Sequence, residues 1–356
     1  MPFAAFMQQA LYDPEFGYYT ANSPKFGIAG DFVTAPEITP LFGSTLGMQC
    51  APILQQLPGS IILEFGAGTG QLCVDLLTQL EKLQCLPDDY WILEVSGVLQ
   101  GQQHDLIMEK MPHVIHKVHW LTRWPEYAFS GIILANEVLD AMPVHRFGNY
   151  TDGLRESFVF LNGDASNIIE EYRPCTNLEL ANYANKFLPD VAVPYISEVN
   201  LALNSWIKQC SKLLLQGVMI IIDYGFPRHE YYHPDRNQGT ISCHYKHRTH
   251  ANPLIHIGKQ DITAHVDFTH VAEAAEDAGF EVAGYTSQAA FLLSCGLLSL
   301  LEQFYAEMQQ YVIATQAVKK LIEPHEMGEL FKVMGLTKNL PMQLGGFAMQ
   351  DRRASL

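Results

Sequence analysis

Ile61-Ile62-Leu63-Glu64-Phe65-Gly66-Ala67-Gly68-Thr69-Gly70 is the stretch that decides how this chain is read. An apolar run, 61–65, breaks into three glycines at alternate positions and then into a helix-forming segment, 71–83. Glycines directly after a buried parallel strand permit a tight turn and let the backbone approach a ligand at the strand's carboxyl end. A dinucleotide fingerprint has the spacing G-x-G-x-x-G and rests a pyrophosphate on a helix N-terminus. Here the spacing is G-x-G-x-G, and Glu64 stands two residues before the first glycine. A carboxylate in that place repels a pyrophosphate. It suits a ligand carrying an ammonium group, such as the amino-acid end of S-adenosylmethionine. Glu64, Gly66, Gly68 and Gly70 are therefore read as cofactor-binding residues; the alternative is a glycine-rich turn beside a surface glutamate.

Outward from this motif the pattern alternates. The opening 1–19 reads as a short helix ending near Tyr12-Asp13-Pro14, because proline disfavours helix in the residue before it. A loop-rich segment follows at 20–40, and a helix at 41–56. Downstream come strand 90–95, helix 96–111, strand 114–120 and strand 131–136. Short apolar strands separated by helices imply a parallel sheet covered on both faces. Polar-alternating strands between 144 and 200 suggest an antiparallel insertion. Helix 199–215 then feeds the buried strand 217–225, and a His-rich loop is expected at 227–267. Helix 268–279, strand 280–287 and helices over 288–322 follow, with 331–338 and Leu344 to Met349 as late strand candidates. The expected organisation is an N-terminal helical and lid segment (1–58) and a Rossmann-like, doubly wound α/β core (59–143 and 196–226). An antiparallel insertion (144–195) and a substrate subdomain that completes the sheet (227–356) make up the rest.

Further site residues follow from strand ends. Glu94 ends the next strand, where an acid accepts hydrogen bonds from both ribose hydroxyls. Trp120 and Leu121 end the third, where an indole stacks on adenine or, equally, packs in a core. Asn136 and Glu137 end the fourth, below the transferred methyl in this topology, or else cap the following helix. Gly30-Asp31-Phe32-Val33-Thr34-Ala35-Pro36-Glu37 reads either as a lid hinged on Gly30, with Asp31 and Thr34 meeting the cofactor, or as a packed loop. Six histidines between Gly239 and His270 lack zinc-ligand spacing and an accompanying cysteine pair, so no metal is expected.

The 356 residues are 48% hydrophobic, enough for a full core, and the net charge is −16. A nucleic-acid partner needs a basic face, and this balance runs the other way. Seven scattered cysteines without a C-x-x-C pair suggest buried free thiols in a reducing compartment. The first basic residue is Lys25, and the longest apolar stretch, 289–301, is too short to span a bilayer. A cytoplasmic protein without membrane attachment is expected. The apolar helices over 288–322 offer core packing or a homodimer contact.

Several longer motifs resemble a known group. These are YDPEFGYYT (12–20), GDFVTAPEITPLFG (30–43), EFGAGTG (64–70) and NEVLDAMPVHRF (136–147). IDYGFP (222–227), GTISCHYKHR (239–248) and QDITAHVDFT (260–269) extend the likeness over almost the whole chain. The sequence resembles the MidA-like methyltransferases, relatives of the mitochondrial complex I assembly factor that methylates an arginine. The resemblance implies a class I methyltransferase core and conversion of S-adenosylmethionine to S-adenosylhomocysteine. It also implies a protein substrate presenting arginine. Carboxylates pair with a planar guanidinium and accept its proton. Glu137, Asp140 and Asp223 are the candidates, with Glu198 approaching from the insertion and His265 as an orienting or proton-handling group. Other classes remain open at this stage: a methyltransferase on a small molecule or another protein atom, and a non-catalytic assembly chaperone that keeps the pocket.

Overall fold

The computed structural model describes residues 1–20, 33–163, 167–188, 193–305 and 308–356. α1 (Phe3–Tyr12) buries Phe3, Phe6, Met7, Ala10 and Leu11 and stops before Asp13-Pro14. α2 (Ala35–Ile38) and α3 (Leu41–Gln56) lead to β1 (Ile61–Phe65), α4 (Gln71–Lys82), β2 (Asp89–Leu93) and α5 (Gly97–Lys110). β3 (Val118–Leu121), β4 (Phe129–Asn136), β5 (His145–Tyr150), β6 (Gly153–Leu161) and β7 (Ile168–Pro174) follow. α6 (Leu178–Phe187), β8 (Tyr195–Val199), α7 (Leu203–Leu213), β9 (Leu214–Phe226) and α8 (Arg228–Tyr231) come next. β10 (Ser242–Tyr245), β11 (Arg248–His250), β12 (Asp261–Thr263), β13 (Val266–Asp267) and α9 (Phe268–Asp277) precede β14 (Glu281–Ser287). α10 (Gln288–Ser294), α11 (Leu297–Phe304), α12 (Met308–Ile322) and β15 (Phe331–Lys338) complete the described elements.

The main sheet runs β14-β15-β9-β4-β1-β2-β3, with β13 added alongside β9. β3, β2, β1, β4 and β9 are mutually parallel; β15 is antiparallel to both β9 and β14. The fold is thus a doubly wound α/β sheet. Its strand order reverses between β1 and β4, the switch point where such sheets bind ligands. Alternate residues of each central strand feed two cores. Ile62, Ile132, Leu134, Ile220 and Ile222 pack with α3 and α4, while Leu63, Ile133, Ala135, Met219 and Ile221 pack with α7 and α9. Burial on both faces explains why these strands read as continuous apolar runs.

Two smaller sheets accompany the main one. β7-β6-β5-β8 is antiparallel throughout, and β11-β10-β12 forms a second small sheet. α1 packs against this region through Phe3, Met7 and Leu11 with Val144, Val159, Ile241 and Ile262.

Several local expectations are corrected. Residues 114–117 belong to a 3-10 turn, Pro112–Lys117, so that the third strand starts at Val118. The expected His-rich loop contains a short helix and four short strands. Within its strands the buried apolar residues are only Cys243, Ile262 and Val266, too sparse to read as strand. Leu344 to Met349 is no strand: Gly345–Phe347 forms a 3-10 turn. There Phe347 lies flat against Gly284 and Gly335, where an added Cβ would come within 2.1 and 2.7 Å of its ring.

Candidate active site

At the carboxyl ends of β1, β2 and β4 a cleft opens, with a cavity volume of about 210 Å³. Its floor is the turn after β1. Gly66 and Gly68 take φ of +59° and +53°, and Gly70 takes +88° at the N-cap of α4. Side chains rarely adopt these angles, and Gly66 and Gly68 present bare backbone to the cleft. Gly70 faces away: its hydrogen side lies against Gln103, 3.2 Å from an added Cβ.

Glu64 is 2% exposed and accepts a 2.6 Å hydrogen bond from the Tyr90 hydroxyl. Burial pushes its carboxyl up to about 7, opposed by that hydrogen bond. Glu94, also buried, lies just beyond β2, where the parallel β2–β3 pairing continues into a bond from its backbone N–H to the Leu121 carbonyl. Its Oε1 accepts from the Ser96 N–H at 2.9 Å. Both acids line the cleft.

Across the floor, Asn136 and Glu137 leave β4. Glu137 holds φ of +53°, a costly conformation for a residue with a side chain, and its N–H bonds to the Ile222 carbonyl. Burial and the nearby Asp140 push its carboxyl up to about 8, against bonds from the Ala35 N–H and the Asn136 amide. Asp140 is raised by burial to about 6. Asp223 sits beneath this turn within β9. Its Oδ2 accepts from the backbone N–H groups of Val138, Leu139 and Asp140 at 3.2, 2.9 and 3.3 Å. Burial, with Asp140 and Glu137 beside it, drives its carboxyl upward against those bonds. Asp223 therefore shapes the turn and does not line the cleft.

The opposite wall was not singled out from sequence. Tyr12 and Tyr19 stack with ring centroids 5.4 Å apart. The Tyr19 hydroxyl reaches both oxygens of Asp261 at 3.0 Å, and the Tyr12 hydroxyl donates to the Ala141 carbonyl. All three line the cleft. Their signal lay inside YDPEFGYYT and QDITAHVDFT, but nothing in a single sequence says that these two runs meet.

Other expected site residues lie elsewhere. Trp120 does not line the cleft; its indole N–H donates to Gln103 Oε1, because β3 is the sheet's edge and the ring turns back onto α5. Leu121 contributes its carbonyl to Glu94 and likewise does not line the cleft. His265 packs among Tyr224 and Phe226 outside the cleft, and burial lowers its pKa to about 4, so the ring is neutral. Glu198 is buried beneath Arg146 and accepts from the Thr240 N–H, away from the cleft. Thr34 lines the cleft at the start of α2, whereas Gly30 and Asp31 lie outside the described residues. Asp267 caps α9 through the His270 N–H. Among the described residues no group of three or more His, Cys, Asp or Glu is placed to hold a metal ion, and all seven cysteines are free thiols.

The described lining therefore carries five carboxyls, on Glu64, Glu94, Glu137, Asp140 and Asp261, and no Lys, Arg or His. Such a wall disfavours a pyrophosphate and fits a ligand with an ammonium or sulfonium charge. Bare glycine backbone beside Glu64, with Glu94 one strand away, fits the amino-acid and ribose ends of S-adenosylmethionine.

Comparison with known proteins agrees with the geometry. Residues 45–286 match the family described as "Putative S-adenosyl-L-methionine-dependent methyltransferase". A Burkholderia thailandensis protein, solved with S-adenosyl-homocysteine bound, superposes with a TM-score of 0.95 at 40% identity, over 100% of this chain and 92% of its own. The mitochondrial protein arginine methyltransferase NDUFAF7 of Danio rerio is 27% identical, over 92% of this chain and 81% of its length. Its Drosophila melanogaster homologue is 28% identical, over 94% and 81%. These relatives are mitochondrial by name, which overturns the expectation of a cytoplasmic protein. Among the described residues, no helix is long and apolar enough to cross a membrane. The glycine turn, its acidic neighbours and the family match over more than half its length agree: the chain belongs to the S-adenosyl-L-methionine-dependent methyltransferase family.

Proposed function

We propose that this enzyme transfers the methyl group of S-adenosylmethionine to a guanidinium nitrogen of an arginine presented by a protein. The observation that carries the proposal is the cleft's charged lining, which among the described residues is all carboxyl. Glu64 and Glu94 follow β1 and β2 beside the glycine turn, Glu137 and Asp140 follow β4, and Asp261 meets the Tyr19 hydroxyl. The relatives named as arginine methyltransferases support the same acceptor.

When bound, S-adenosylmethionine supplies a methyl carbon on a positively charged sulfur. Glu64 pairs with the ammonium end, Gly66 and Gly68 let the chain approach, and Glu94 accepts from the ribose hydroxyls. Thr34 closes the near side. Glu137 and Asp140 receive the guanidinium as a planar, charge-assisted pair. Tyr12 and Tyr19 supply a flat wall for its face. As the nitrogen takes the methyl, the guanidinium system gives up one proton, and Glu137 accepts it once ionised. Asp223 acts as a positioning residue, holding the 138–140 turn. The small antiparallel sheets and α1, which frame the tyrosine side, form the substrate-facing part of the molecule. A net charge of −16 favours a basic segment as partner over a nucleic acid.

Labelled-methyl transfer into a lysate, followed by acid hydrolysis and chromatography of the labelled amino acids, tests this. Label in methylarginines is expected; label confined to a small molecule or to another amino acid would refute the acceptor.

A further inference from the structure

α5 carries three glutamines at 100, 102 and 103, and two of them grip the cofactor side of the cleft. Gln100 donates to the Glu94 backbone carbonyl at 2.7 Å. Gln103 is fully buried, and every hydrogen-bonding group of its amide is engaged. Its Nε2 donates to the Gly68 carbonyl at 2.9 Å and to Glu94 Oε2 at 3.2 Å, and its Oε1 accepts from the Trp120 indole at 3.0 Å. One side chain thus ties together the glycine turn after β1, the acid after β2 and the aromatic residue on β3. Gly70 passes so close that an added Cβ would sit 3.2 Å from the Gln103 Cα.

We infer that Gln103 is the positioning residue of the cofactor site: it fixes the rotamer of Glu94 and the curvature of the glycine turn as one unit. The inference rests on the reading of Glu94 as the ribose acceptor. A carboxylate bonding two vicinal hydroxyls must hold the plane of its two oxygens in one orientation. Ser96 fixes one oxygen of Glu94 through its N–H, at 2.9 Å, and Gln103 fixes the other. The Gly68 carbonyl, drawn toward Gln103, keeps the turn in the positive-φ conformation that bares its backbone to the cleft. Trp120 orients the amide: its indole N–H can only donate, so the oxygen of Gln103 must face it and the two N–H groups must face Gly68 and Glu94. The tryptophan on β3 therefore acts on the cofactor through Gln103 and does not itself line the cleft.

Gln103→Met keeps length and burial while removing all three bonds. S-adenosylhomocysteine binding, by calorimetry, is expected to weaken roughly ten- to hundredfold, as loss of a bond to a charged group and of its neutral companions implies. The KM for S-adenosylmethionine should rise in parallel, while kcat at saturating cofactor and the KM for an arginine peptide stay within about twofold. A packing defect would move all of them. In the wild type, ligand binding should change tryptophan emission, and Trp120→Phe should remove that change while weakening binding about two- to fivefold. Combining both substitutions should be no worse than Gln103→Met alone. Unchanged affinity in Gln103→Met would overturn the inference. Should that variant fail to fold, unchanged affinity and unchanged emission response in Trp120→Phe would do so. If Glu94→Gln also binds normally, the ribose reading falls with it; if Glu94→Gln is weakened and Gln103→Met is not, only the inference falls.

Discussion

Replacing Glu64 by Gln separates the function of this residue from its cost to the fold. The carboxyl is 2% exposed, and its pKa stands at about 7 against an ordinary 4.5, chiefly through burial. Because the folded-state value is the higher one, the stability contributed by the protonated acid is complete below pH 4.5 and is lost as pH rises through about 7. The full difference corresponds to ~3 kcal/mol, an upper bound for the penalty carried by the ionised wild type at pH 8. Glu64→Gln stays neutral and retains an acceptor for the Tyr90 hydroxyl, so its ligand-free melting point at pH 8 should rise by up to about 4 °C. Ligand binding should move the opposite way. An ammonium group requires the ionised carboxylate, which forms about a tenth of the population at pH 6 and nine-tenths at pH 8. Wild-type affinity for S-adenosylhomocysteine should therefore be roughly tenfold weaker at pH 6. Glu64→Gln should bind about ten- to hundredfold more weakly at pH 8 and lose the pH dependence. Calorimetry at both pH values, with scanning calorimetry of the free proteins, provides the test. A variant that keeps both wild-type affinity and the wild-type pH profile would refute the pairing of Glu64 with the ligand.

At Glu137, whose pKa is about 8, wild-type methyl transfer should rise with pH through that value as the carboxylate forms. Glu137→Gln should lack this limb, turn over about a hundredfold more slowly and bind S-adenosylhomocysteine within about twofold of wild type; single-turnover assays from pH 6.5 to 9 check it. Asp223→Ala removes the acceptor of three backbone N–H groups and should destabilise by about 3–5 kcal/mol, measured by urea denaturation. Gly70→Ala meets both a φ of +88° and the Gln103 backbone, so a loss of about 1–2 kcal/mol with weaker cofactor binding is expected. His265→Phe, in a pocket formed by Tyr224 and Phe226, should leave turnover within about twofold of wild type.

The glycine turn, Glu64, Glu94 and Glu137 were legible because each stands at a strand end, and strand ends can be read from apolar runs. The parallel core was legible for the same reason: Ile62 and Leu63, or Ile220 and Ile221, face two different cores and both must be apolar. Tyr12, Tyr19 and Asp261 were not, since their meeting depends on the segment at and just after α1 converging with β12, and Tyr19 and Asp261 stand 242 residues apart. Trp120 stood at the right strand end but turned toward Gln103, a choice governed by a hydrogen-bond partner on another element. Asp223 also stands near a strand's carboxyl end, and His265 lies in a run that carries Asp261 and Asp267. The backbone amides around the one and the aromatic rings around the other give them different work. The strands within 227–267 carry too few apolar residues to announce themselves, and they are held by pairing to each other and to β9.

Titration of the purified protein with S-adenosylhomocysteine and, separately, with NAD tests the central claim most directly. An acidic, cation-accepting cleft predicts saturable uptake of one S-adenosylhomocysteine per chain and no heat from NAD. Saturable NAD binding displaced by no sulfur nucleoside would contradict it.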